Sequence, residues 1–85
     1  MAEQLKEEDK NLNQTYQTLR TLLSPQEKEQ LKNVQLIWIA FRDKSCDFQL
    51  RDADGSMYAM FMAQCLARYT ATRNAELILQ VDRLQ

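Results

Sequence analysis

Apolar residues recur at helical spacing in three stretches of this chain. In the first, Leu5, Leu12, Tyr16, Leu19 and Leu23 repeat at offsets of seven, four, three and four. That is a narrow stripe on a polar helix, the pattern of one helix laid along a partner. Asp9 falls in the stripe where an apolar residue would continue it, and weakens the first two turns. Glu3, Glu7 and Glu8 suit the positive N-terminal end of a helix dipole. In the second stretch Leu31, Val34, Trp38, Phe41, Ser45 and Phe48 share one stripe, and Ile37, Ile39 and Cys46 widen it. A helix apolar over so much of its circumference is expected at the centre of a bundle, covered on two sides. The third stretch presents Tyr58, Met62, Cys65, Leu66, Tyr69, Leu77, Val81 and Leu84, interrupted midway by Arg73 and Glu76.

Two punctuation marks separate these stretches. Ser24-Pro25-Gln26-Glu27 has the residues of a capping box, with Pro25 at the first helical position, where its missing donor costs nothing. Asp54-Gly55 is a turn signal, and Ser56 is the expected N-cap of the third stretch. The spacing therefore predicts helices over 2–23, 25–50 and 57–84. Short connections force neighbours to run antiparallel, giving an all-α, up-down-up three-helix bundle in one domain spanning residues 1–85. Trp38, Phe41, Tyr16 and Tyr69 are the expected core anchors.

Composition supports this and removes several functions. One Gly and one Pro in 85 residues leave too few turns for a sandwich or barrel. Net charge is −1 with no basic block, which argues against a nucleic-acid surface. No run of about 18 apolar residues is present, so no membrane span is expected. There is no His, no Gly-rich phosphate loop and no paired-carboxylate motif, so neither catalysis nor a cofactor or metal is expected. Met1 to Lys10 holds no apolar leader core. Taken literally that points to the cytosol; a chain starting after a processed leader would read the same way.

Cys46 and Cys65 face each other across the second connection to within about one helical turn. An inter-helix bridge and a pair of buried reduced thiols both satisfy that spacing. Arg42, Asp43 and Arg73 lie beside core positions and are read as structural charges that set helix register, in preference to a partner patch. Met57, Tyr58 and Met60, with Phe61 and Met62, make an apolar run that one helix face cannot bury. They are either an end cap on the core or a candidate partner or dimer surface.

Four blocks of residues resemble the lysozyme inhibitor LprI-like family of small bacterial envelope domains. They are Asp9 with Leu12, Asn13 and Tyr16; Leu23-Ser24-Pro25 with Leu31; Gln35, Trp38-Ile39 and Phe41-Arg42-Asp43 with Cys46; and Gly55-Ser56, Tyr58, Met60, Cys65-Leu66 and Arg73. The blocks run in the family's order over most of the chain. Asp54 stands where the family often has a first Gly, and Ala59 where it often has Pro. The leader and additional N-terminal cysteine pair usual in the family are not in this sequence. The resemblance implies export to the periplasm or outside the cell, and a disulfide between Cys46 and Cys65 in that oxidising compartment. It implies a protein partner, a lysozyme-like glycosidase, which the module would bind and inhibit. Carboxylates at Glu7, Glu8 and Asp9 could steer a cationic partner. A homodimerising envelope domain without inhibitory action, and an immunity-like protein against a peptidoglycan-degrading toxin, are the competing readings.

Overall fold

The computed structural model describes residues 2–85 as three helices: α1 over Ala2–Thr21, α2 over Pro25–Gln49 and α3 over Ser56–Leu84. No strand occurs among the described residues. The three run up, down and up, in a body of 46 × 21 × 15 Å. The long dimension is that of α3, whose 29 residues span about 43 Å at 1.5 Å each.

The first connection is built as its residues dictate. The last turn of α1 tightens, with Leu22 and Leu23 donating to the carbonyls of Leu19 and Arg20 at 3.0 and 3.1 Å. Ser24 is extended, and the capping box is complete. The Glu27 N–H donates to Ser24 Oγ at 3.2 Å, and the Ser24 N–H donates to Glu27 Oε1 at 2.8 Å. The backbone N–H and then the side chain of Ser24 hold the Glu27 carboxyl below its ordinary pKa. The second connection differs from expectation in one detail. Gly55, not Ser56, is the N-cap of α3, and it makes no side-chain cap bond. Its φ of 75° lies in the left-handed region, which a residue with a Cβ rarely adopts.

The centre of the bundle is α3, not α2. α1 lies close along α3, and α2 stands farther off α3 and makes little backbone contact with α1. Ala67 and Thr70 on α3 are almost fully buried. Leu12, Leu19, Leu31, Leu77 and Val81 form the core, with Tyr16, Leu23 and Trp38 packed against it. α2 contributes only Leu31 and Cys46 as fully buried residues. Its inward line is Leu31, Gln35, Trp38, Arg42 and Cys46, all buried or half-buried. The helix is thus turned by roughly 70° from the orientation its apolar stripe predicts, at 3.6 residues per turn. Val34, Ile37, Phe41 and Phe48 are left outside, and Phe41, expected as a core anchor, is 58% exposed.

A disulfide joins Cys46 of α2 to Cys65 of α3, with the two Cα atoms 5.9 Å apart. Both cysteines are almost completely buried, and none is free.

Stability should respond at both connections. Ser24→Ala should cost about 1 kcal/mol and lower the Tm by several degrees in a thermal melt. Reduction of the Cys46–Cys65 bridge should cost on the order of 3 kcal/mol in a urea titration, the chain-entropy value for a loop of this size. The lowered Glu27 pKa means the carboxylate's bond from the Ser24 N–H contributes at neutral pH and weakens as pH falls through the lowered pKa, while the Ser24 Oγ cap stays in place. Glu27→Gln should therefore flatten the acid limb of a stability–pH curve.

Candidate functional site

Two arginines tie the helices together on the inward side of α2. The Arg42 guanidinium lies 5.1 Å from the Trp38 ring centroid, donates through Nε to Asp43 Oδ1 at 2.9 Å and reaches Thr70 Oγ1 at 3.3 Å. Asp9 of α1 lies 3.9 Å from the same guanidinium. One side chain thus meets groups from all three helices, and Asp9 breaks the apolar stripe of α1 at the turn that faces it. Thr70 is fully buried, and its hydroxyl also bonds the Leu66 carbonyl at 2.7 Å. Arg73, 9% exposed, donates to Gln35 Oε1 on α2 at 3.0 Å and to Glu76 Oε1 at 3.2 Å. The buried guanidinium of Arg73 is thus matched by one carboxylate and one amide oxygen.

The outward side of α2 is built differently. Ile37 is 70% exposed and Phe48 65%, with Phe41 between them on the same stripe. Together with Val34 they leave on the order of 400 Å² of apolar side chain in water, in the range of the largest patch on a typical monomer. This stripe borders a groove between α2 and α3, lined by Trp38, Phe41 and Ser45 on one wall and Tyr69, Thr72 and Arg73 on the other. The Phe41 and Tyr69 rings meet edge to face at 6.0 Å. Tyr69 is fixed by Gln49 Nε2, which donates to its hydroxyl at 2.9 Å. Arg68 donates to the oxygen of the same amide at 3.4 Å. At the far end the Arg51 guanidinium stacks over the Phe48 ring at 4.2 Å.

The other anticipated residues lie elsewhere. Tyr16 packs on the core from α1. Met57 and Tyr58 are exposed at the start of α3 and Met60 is half-buried, away from the residues lining the α2–α3 groove. Arg68 and Lys44 line the α2–α3 groove and Arg51 stacks at its end, positions that sequence reading did not single out.

A protein-family model described as lysozyme inhibitor LprI matches residues 1–77 of this chain. The chain belongs to the LprI family. A curated relative from Rhizobium meliloti (strain 1021), described as an uncharacterized protein, is 34% identical over 83 residues. That match covers 81% of this chain and 60% of the relative, so the chain spans less than two thirds of that protein. No solved structure matches. The LprI match takes in α1, α2 and most of α3, and with them the disulfide, both interior arginines and the groove.

The two sides of α2 should respond differently to mutation. Arg42→Met removes charged hydrogen bonds and the contact with Trp38, and should cost roughly 2 kcal/mol in chemical denaturation. Phe41→Ser, on the exposed stripe, should change stability by less than about 1 kcal/mol.

Proposed function

We propose that this chain is an exported helical binding module that binds and inhibits a lysozyme-like muramidase at the bacterial cell envelope. The observation that carries the reading is the apolar ridge of Ile37, Phe41 and Phe48, held outward on a helix that is covalently tied at Cys46. Its area is about half of the roughly 800 Å² that each partner gives up in a standard interface, which is the share expected of an interface core. LprI is a family of inhibitors, and that supplies the class of partner. The disulfide supports an oxidising compartment, hence the periplasm or the exterior. No helix among the described residues is long and apolar enough to cross a membrane.

A second reading has its own observation. Met57 is 49% exposed, Tyr58 37% and Phe61 41%, close in sequence at the start of α3. That patch would suit a homodimer without inhibitory action.

Inhibition assays against a panel of lysozymes test the first reading. Micromolar chain should slow at least one enzyme, and Ile37→Lys should weaken the effect at least tenfold with the circular dichroism spectrum unchanged. No slowing of any enzyme at that concentration would remove the reading. Light scattering tests the second: a monomer at high concentration, unaltered by Met57→Lys, would dismiss it.

A further inference from the structure

We infer that two copies of this chain pair through α2, antiparallel about a two-fold axis near Ala40 and Phe41, each covering the other's apolar ridge. This does not rest on the inhibitor reading. It goes beyond it, because a paired chain has its ridge closed to any other partner.

Exposed charges of both signs flank the ridge, and their order complements itself on reversal. On the outer side of α2, Glu29 and Lys32 precede the middle of the ridge, Asp47 follows it, and Arg51 lies just past the helix end. In a reversed copy Glu29 meets Arg51, and Lys32 meets Asp47. The groove side repeats the pattern. Arg68 sits level with Gln49, to which it donates at 3.4 Å, and Glu76 sits level with Gln35, since Arg73 donates to both. Phe41 lies between these levels, about 10 Å from each at 1.5 Å per residue. Reversal therefore sets Arg68 of one copy opposite Glu76 of the other. Of these charges only Glu76 has an ion-pair partner among the described residues. Asp43 is already held by Arg42 at 2.9 Å, and Asp52 lies in the connection beyond α2. Lys44, close to the axis, lays its stem along the other copy's Ile37 with the ammonium at the rim.

Size agrees with this pairing. The ridge offers on the order of 400 Å² of apolar side chain, so two copies bring about 800 Å². An interface somewhat over half apolar then totals about 1,400 Å², within the range of stable complexes. Ala40, exposed at the crossing point, puts only a methyl group there. Such a contact is isologous and closes at two copies. Parallel packing would set Arg68 against Arg68 and Glu76 against Glu76, and like charges across an interface are costly. A partner surface of one sign would meet carboxylates as often as cations along this face.

Light scattering over a concentration series tests this. The unmodified chain should rise toward twice its 10.0 kDa and no further. Arg68→Glu and Glu76→Lys, each checked as folded by circular dichroism, should each raise the dimer dissociation constant at least tenfold, because each sets like charges across the axis. An equal mixture of the two variants should recover the dimer mass at concentrations where neither does alone, since both contacts are then between opposite charges. Phe41→Ser, which leaves every charge in place, should also weaken the dimer at least tenfold. A chain that stays monomeric throughout, or a mass that climbs past two copies, would overturn the pairing. So would a mixture of folded variants that remains monomeric, or a dimer that Met57→Lys dissolves and Arg68→Glu does not. None of these results bears on whether the chain slows a lysozyme, so the two readings fail separately.

Discussion

The Cys46–Cys65 bridge is the constraint on which the arrangement of α2 depends. α2 has 25 residues and fully buries only Leu31 and Cys46. At about 25 cal/mol per Å² of apolar area, so little burial leaves a helix poorly anchored against the entropy of its own motion. α1 has no such need, because Leu12 and Leu19 go into the core and the helix lies close along α3. The covalent link supplies what burial does not. It acts at the end of α2 opposite Leu31, so the helix is held at both ends, by sulfur at one and by the leucine core at the other. A helix fixed this way can turn its largest side chains to water without drifting from α3.

Between those two fixed points, polar contacts set the rotation of α2. Arg42 and Gln35 both point inward, one to Thr70 and Asp9, the other to Arg73. Turning the helix to bury Phe41 would pull both from their partners. Arg73 would keep Glu76 but lose its Gln35 acceptor, and Arg42 would lose Thr70 and Asp9; charged donors left unmatched in a half-buried interface offset what one aromatic ring gains. The register of α2 is therefore fixed by what it would cost to leave these groups unmatched. The gain from the contacts themselves is modest.

Much of this was legible from the residues alone. The scarcity of Gly and Pro settled the fold class, and the capping box at Ser24 placed the start of α2 to the residue. The facing positions of Cys46 and Cys65 allowed the bridge but did not decide it. The family resemblance pointed to the paired form, and the sulfurs are joined. What periodicity could not give was the side of α2 that faces inward. Apolar residues cover so much of its circumference that two stripes compete, and the usual rule selects the more apolar one. The structure selects the line through Gln35 and Arg42 instead, because their partners sit on α1 and α3, far away in sequence. Asp9 shows the same limit: in the sequence it is a defect in a stripe, and in the fold it faces Arg42.

That inversion bears on function more than any single residue does. Local rules place Phe41 and Ile37 inside and Arg42 and Gln35 outside, and sequences depart from such rules chiefly where a site demands it. A chain under selection for stability alone could exchange the two lines and gain burial. Keeping rings in water at several positions carries a standing cost, offset only when something else covers them. The bridge makes that arrangement tolerable, and the inward arginines make it specific. Under the inhibitor reading proposed above, the apolar face of α2 is half of a contact, completed by a surface that the three helices do not provide.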